Sequence, residues 1–350
     1  MKKSLIALAA LAAVGAASAQ SSVTLYGVID TNYGWGRTTT KDGSLTTKVT
    51  TTGLNPAGSN MSGSRWGLKG QEDLGNGLSA VFNVEAGFNS ANGRTGAGYD
   101  RNTDEVWGNG FNRRAVVGLK GGFGQVLLGR DYTPLDELLG GNGFQAIDLS
   151  TYNTDPLTGS DLYTGRANGI HYSGNFSGVG VKAFASYDRE KVSNDLLGTT
   201  SDTRGEGYGL NLTYGNGPFA IGGGVQQFKD KVLLTPAVKN TEYAVAASYD
   251  FTVAKVFGHY AANDLDGVDT AQQYSVGVAV PFGAATLGAQ YAYNKQGDFK
   301  GHDVVLQGTY ALSKRTDLYA RAGRYNSWEF KAADQSVKSD VVAVGIRHRF

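Results

Sequence analysis

Four histidines, His171, His259, His302 and His348, are the side chains of this 350-residue sequence best suited to proton transfer or metal binding. They are scattered and share no partner. Cysteine is absent, which excludes a disulfide scaffold and any thiolate metal site. No HExxH, GxSxG or Walker A pattern occurs. Three GxGxxA matches exist, at Gly75-Gly77-Ala80, Gly141-Gly143-Ala146 and Gly215-Gly217-Ala220. A dinucleotide site needs a strand before and a helix after such a run. Here each match is a Gly-Asn-Gly turn or loop. Loop carboxylates are plentiful, but no spacing among them supports hydrolysis. The expectation is no enzyme, no cofactor and no metal. What remains is the electrostatics of charged residues placed along a surface.

The charge total is nearly balanced, with 32 Lys plus Arg against 31 Asp plus Glu. This excludes a nucleic-acid binder driven by bulk charge. A hydrophobic content of 41% excludes disorder. Glycine reaches 51 residues, beside 19 Tyr, 15 Phe and only two Met. Tyr and Phe fit a pleated surface, so the composition points to β structure.

Residues 1–19 read as a secretory signal peptide. Lys2 and Lys3 give a positive start, residues 5–17 an apolar run, and Ala17-Ser18-Ala19 a small-residue cleavage site. The run is too short for a membrane helix, which needs ~20 residues. Residues 20–350 then form a single domain beginning at Gln20.

Along that domain, apolar and polar residues alternate with period two. Tyr208, Leu210, Leu212 and Tyr214 oppose Gly209, Asn211 and Thr213; Val342, Val344 and Ile346 oppose Ala343, Gly345 and Arg347. Sixteen strands are expected, near 22–35, 62–71, 77–89, 111–121, 123–131, 165–174, 178–189, 205–215, 218–230, 240–251, 253–264, 270–281, 284–296, 300–312, 316–330 and 338–350. Their connections alternate short and long. The short ones carry Gly, Pro, Asn or Asp, residues that favour tight turns. The long ones, such as 36–61, 90–110 and 190–204, are polar. Short turns then gather at one end with both termini. Lipid supplies no hydrogen-bond partner, so a spanning sheet must close on itself. The expected fold is all-β: a sixteen-stranded antiparallel transmembrane β-barrel with short periplasmic turns and long external loops. Tyr187, Tyr214, Phe219, Tyr249, Phe251, Phe282, Tyr293, Tyr310 and Phe350 fall near strand ends, as aromatic girdles do. A soluble sandwich or solenoid is the competing fold; strict alternation of loop lengths and the lack of a self-similar repeat disfavour it.

The third long connection, 131–164, departs from this pattern. It contains Leu135, Leu138, Leu139, Phe144, Ile147, Leu149 and Tyr152, too apolar for a solvated flap. Inside a wide barrel it would pack on the inner wall and narrow the lumen. It also carries Asp131, Asp136, Glu137, Asp148, Asp155 and Asp161 and no Lys or Arg. The competing placement is against a neighbouring subunit.

The start SSVTLYGVIDTNYG, the segments GSRWGLKGQEDLGNGLSAVFNVE and NRRAVVGLKGGFGQVLLGRDYTP, LSKRTDLYA and the ending VGIRHRF resemble general porins of β-proteobacteria, the Neisseria and Comamonas type. The resemblance spans the whole mature chain. It implies a homotrimer of barrels in the cell outer membrane, among lipid and lipopolysaccharide, each with its own pore narrowed by the third loop. It also implies frequent anion preference and an arginine cluster in the constriction. Arg65 matches the second-strand arginine and Arg113 or Arg114 the fourth-strand one. Parity turns Arg114 inward, while the family pattern favours Arg113. Arg166 resembles the arginine after the third loop. It stands four residues before Ile170 rather than five, which changes its side-chain parity. Glu85 matches an acidic wall position. Phe350 matches the terminal signal read by the outer-membrane assembly machinery.

The expected function is passive diffusion of ions and small hydrophilic solutes, with modest anion preference. Inward parity gives the bases Arg65, Lys69, Arg114, Lys120, Lys182, Lys255, Arg321, Arg347 and Arg349, against the acids Asp30, Glu85 and Asp188. Arg65 and the Arg113–Arg114 pair are expected to stand unpaired at the narrowest point, opposite Asp131, Asp136 and Glu137 of the third loop. A barrel enzyme, a sugar-specific channel and an adhesin are the alternatives. The first lacks a histidine constellation, the second an inward aromatic ladder, and the sequence is silent on the third.

Overall fold

The computed structural model describes residues 22–56, 59–95, 110–140, 144, 163–194, 199–231, 237–330 and 333–350. Residues 1–19, expected to be a signal peptide, lie outside them. Hydrogen-bond closure dominates the architecture. The strands are β1 (Ser22–Asp42), β2 (Leu45–Leu54), β3 (Arg65–Gly75), β4 (Leu78–Gly87), β5 (Arg114–Gly121) and β6 (Gly124–Tyr132). They continue as β7 (Arg166–Phe176), β8 (Val179–Asn194), β9 (Thr199–Asn216), β10 (Phe219–Lys231), β11 (Val238–Asp250) and β12 (Lys255–Leu265). The last five are β13 (Ala271–Phe282), β14 (Ala285–Gln296), β15 (Phe299–Ala311), β16 (Thr316–Phe330) and β17 (Gln335–Arg349). One helix, α1 (Pro134–Gly140), follows β6. All strands join a single sheet in which β1 pairs antiparallel with β17, from Val28 opposite Arg349 to Asp42 opposite Gln335. No described helix is long and apolar enough to cross a membrane.

Sixteen staves make the barrel, as expected, although seventeen strands are hydrogen-bonded. β2 pairs with Tyr33–Asp42 of β1, and β3 with Ser22–Val28 of the same strand. The two therefore share one stave, interrupted between Leu54 and Arg65. Here the structure corrects the sequence reading. Residues 36–61 are not one polar connection: β1 runs on to Asp42, turns at Gly43 with φ 55°, and returns as β2. The run is dominated by threonine, whose β-branched side chain suits a pleat. The loop expected at 190–204 is likewise mostly strand, since β8 reaches Asn194 and β9 begins at Thr199.

The short turns follow local chemistry. Asn76 and Gly77 both adopt positive φ, 53° and 75°, the pair that matches the twist of a two-residue hairpin. Outward residues are apolar and exposed, such as Tyr208, Leu210, Leu212 and Tyr214, while Gly207, Gly209 and Asn211 between them are buried. The girdle aromatics Tyr187, Tyr214, Phe219, Tyr249, Phe251, Phe282, Tyr310 and Phe350 are exposed. Phe350 completes the closure, exchanging backbone hydrogen bonds of 3.1 Å with Gly27.

Candidate functional site

The third loop enters the barrel as α1, which lies against β8, β9, β10 and β11. Leu135, Leu138 and Leu139 are each 1% exposed and join Phe144, Tyr163, Ala244, Ala246, Ala261 and Ala271 in one apolar cluster. Burying a leucine contributes about 1.5–3 kcal/mol, enough to hold a short helix to a wall. Glycine makes the close approach possible. A Cβ on Gly222 would lie 2.6 Å from Leu138 Cδ1, and one on Gly224 would lie 3.0 Å from Leu135 Cδ2.

Polar anchors fix the loop base. Glu242 accepts hydrogen bonds from the Thr164 amide (2.8 Å), the Thr164 hydroxyl (2.8 Å), Asn240 (2.9 Å) and Gln226 (2.5 Å). Asn211 donates to the Pro134 carbonyl (2.6 Å), and the Leu135 amide donates to Gln226 (3.2 Å). The apolar character expected of this loop is thus satisfied on the inner wall. Of the remaining loop residues singled out from the sequence, Ile147, Leu149, Tyr152, Asp148, Asp155 and Asp161 lie outside the described residues.

The arginines gather on the neighbouring staves β3–β7. Register places Arg114 opposite Glu85, yet Arg113, in the bend before β5, also turns in. Arg113 Nε donates to Glu85 Oε1 at 2.6 Å, and its Nη2 donates to the Tyr132 hydroxyl at 2.6 Å. Arg65 Nε stands 3.7 Å from Glu85 Oε2. Arg114 Nε lies 2.8 Å from Asp131 Oδ1, and Nη2 donates to Oδ2 at 2.9 Å. Tyr132 is the hub. The guanidinium carbons of Arg166, Arg114 and Arg113 lie 4.5, 5.6 and 5.8 Å from its ring centre. Arg166 Nε is buried without a hydrogen-bond partner among the described residues.

Both candidates for the fourth-strand arginine therefore belong to the cluster. Arg166 keeps the outward parity of Ile170 but stands at the edge of its strand, where a long side chain swings over Tyr132. The expectation of unpaired arginines is wrong. A buried cation without a counter-charge is costly, and Glu85 and Asp131 supply the charges. The compensation is incomplete: four arginines, 65, 113, 114 and 166, meet two carboxylates. It is also asymmetric. The side chains of Arg65, Arg113 and Arg114 are 20–29% exposed, those of Glu85 and Asp131 only 5% and 2%. The lumen meets guanidinium edges rather than carboxylates.

The other loop acids stand apart. Glu137 pairs with Lys182 at 2.7 Å. Asp136, on α1, faces Gly140 and Gly165. Glu137 is thus a loop acid paired with a wall residue. Toward the turn end, Lys69, Arg114 and Lys120 line a recess of about 350 Å³ with Asn83, Gln71 and Gln125. Lys69 Nζ sits 5.2 Å from the Tyr26 ring centre. Neither lysine has a carboxylate partner among the described residues. The Asp188 side chain lies outside the described residues.

A second inward element was not foreseen. Residues 59–64, between β2 and β3, leave the sheet and lie inside the barrel against β1 and β15–β17. Met61 is 2% exposed and accepts a contact of 3.1 Å from Gln307. Arg321 donates to the Asn60 carbonyl (2.6 Å) and to Gln307 (2.9 Å). Arg347 donates to Ser62 (2.7 Å) and pairs with Asp317. Asp30 accepts from the Ser62 amide (2.7 Å) and the Tyr319 hydroxyl (2.5 Å). Arg321, Arg347 and Asp30, read from parity as pore lining, thus serve this segment. The available signal was Met61, a lone apolar residue in a Ser-Gly-Asn run.

A family profile described as Gram-negative porin matches residues 6–328. "Outer membrane porin protein 32" of Delftia acidovorans is 34% identical over the full length of both chains. "Major outer membrane protein P.IB" of Neisseria gonorrhoeae is 31% identical, again over the full length of both. Among solved structures, the "Anion-selective porin from Comamonas acidovorans" superposes with a TM-score of 0.69 at 29% identity, covering 95% of this chain and 100% of that one.

Proposed function

The chain belongs to the Gram-negative porin family and is a passive channel of the outer membrane, and we propose that its pore prefers anions modestly. The observation that carries this reading is the excess of guanidinium over carboxylate at Arg65, Arg113, Arg114 and Arg166, with the two carboxylates turned from solvent. A narrow lumen with low-dielectric walls focuses such a field to several kT and raises the local anion concentration. Lys69 and Lys120 extend the positive lane toward the turn end. The relative from Comamonas acidovorans, named anion-selective, supports the same sign. Solutes cross down their gradients; α1 sets the size limit and the arginines set the charge preference.

The channel works as a homotrimer of separate pores, and Phe350 serves as the assembly signal. Support for both comes from the family resemblance, and the terminal Phe350–Gly27 pairing that closes the barrel adds to the case for Phe350 alone. Reconstitution in planar bilayers under a salt gradient tests the reading. Conductance steps in threes and a reversal potential of anion-selective sign are expected; a cation-selective sign overturns the charge assignment.

A further inference from the structure

Asp30 and Arg321 are buried charged groups of the lumen wall and Arg347 is a half-buried one, and none of them belongs to the arginine cluster or to α1. All three converge on one strip of backbone. The Asp30 amide donates to the Ser64 hydroxyl (3.0 Å), and the Asp30 carboxylate takes the Ser62 amide. Asn60 donates to the Asp30 carbonyl (3.2 Å). Arg321, 2% exposed, holds the Asn60 carbonyl, and Arg347 holds Ser62. Four backbone or hydroxyl groups of 60–64 are thus bound to β1, β16 and β17, with Met61 buried beneath them.

The strip faces the arginines with its other side. Gly63 is exposed; its carbonyl accepts from Arg65 Nη1 at 2.9 Å. A Cβ on Gly63 would have Arg113 Nη1 as its nearest neighbour, at 3.4 Å. The strip therefore touches Arg65 and runs beside Arg113, two of the groups assigned to charge preference, on the wall remote from α1. We propose that residues 59–64 form a second wall of the pore constriction, and that Arg321 is the positioning residue that holds this wall in place. The strip narrows the lumen from the β15–β17 side and orients Arg65 through the Gly63 carbonyl. The inference rests on the reading of the cluster as the narrowest, charge-selecting level of the pore.

The chain has no cysteine, so single thiols report cleanly. A side chain at Gly63 meets only the end of the Arg113 side chain and is otherwise exposed, whereas Met61→Cys is covered. In planar bilayers, an anionic methanethiosulfonate added to the bath should lower the single-channel current of Gly63→Cys stepwise and leave wild type unchanged. Met61→Cys should resist the reagent, and Met61→Cys/Arg321→Gln should react and lose current. Heat-modifiable gel mobility checks that each barrel is folded. A folded Gly63→Cys channel whose labelling is confirmed by mass, but whose current is unaltered, overturns the second wall. Equal reactivity of Met61→Cys with and without Arg321 overturns the positioning role. The wild-type reversal potential is measured separately. If it lacks anion preference while Gly63→Cys is still blocked, the charge reading fails and the second wall stands.

Discussion

Arg113 Nε lies 2.6 Å from Glu85 Oε1, although strand register sets Arg114, not Arg113, opposite Glu85. The displacement lets two consecutive arginines occupy the same level of the lumen. Arg114 enters from the strand and turns to Asp131. Arg113 enters from the bend above and takes Glu85. Repulsion between neighbouring guanidiniums is relieved by one buried carboxylate each, and Arg65 and Arg166 remain in excess.

Glu85 is consequently the charge whose removal should most increase anion preference. In Glu85→Gln, Arg65 and Arg113 lose their shared counter-charge while Tyr26 and Tyr132 keep a hydrogen-bonding group nearby. The reversal potential under a salt gradient should move further in the anion-selective direction. Loss of a charged partner costs about 1–3 kcal/mol, so the variant barrel should also melt at lower temperature in detergent. A shift toward cations would show that Glu85 does not face the ion path electrostatically.

Replacing Arg65 and Arg114 together by Ser leaves Arg113 and Arg166 against Glu85 and Asp131, and formal excess vanishes. Anion preference should fall or reverse. In wild type the preference should weaken between 0.1 M and 1 M salt, as the Debye length shrinks from about 10 Å to about 3 Å. Paired reversal-potential measurements at the two salt concentrations check both statements.

One carboxylate, Glu242, gathers several of the polar anchors of the third loop. Glu242→Ala removes the acceptor for Thr164, Gln226 and Asn240, while the leucines of α1 still hold the helix itself. The expected outcome is greater open-channel noise and a wider cut-off for neutral sugars in liposome swelling, with circular dichroism unchanged. Quiet, wild-type channels would mean that the apolar contacts suffice.

The barrel was legible because lipid imposes period two on every spanning strand: Tyr208 to Tyr214 can only face one way. The third loop was legible because its leucines need cover. Residues 36–54 were misread because a polar Thr-Lys run looks solvated, while its β-branched residues still favour pairing. Parity turned Arg321 inward correctly but could not reveal its partner, since Asn60 lies 261 residues away in the chain. Parity also fails at strand edges. Arg166 has no further strand residue to confine it, so its side chain follows Tyr132 rather than the pleat.

Lys69 and Lys120 offer the cleanest test of the basic lane, because neither is bound to a carboxylate among the described residues. Removing them exposes no buried partner, so the barrel should keep its stability, unlike Glu85→Gln. With Arg114 they line the recess on the turn side of the cluster, and both are exposed where the arginines are half-buried, so salt screens them more strongly. Their field should therefore act mainly at low ionic strength. Lys69→Ala/Lys120→Ala should reduce anion preference at 0.1 M salt by less than the Arg65/Arg114 double variant and have almost no effect at 1 M, where the Debye length is about 3 Å. The sugar cut-off should not move, since neither side chain touches α1. A change as large as that of the arginine variant would place the selecting level at the recess instead of at Tyr132.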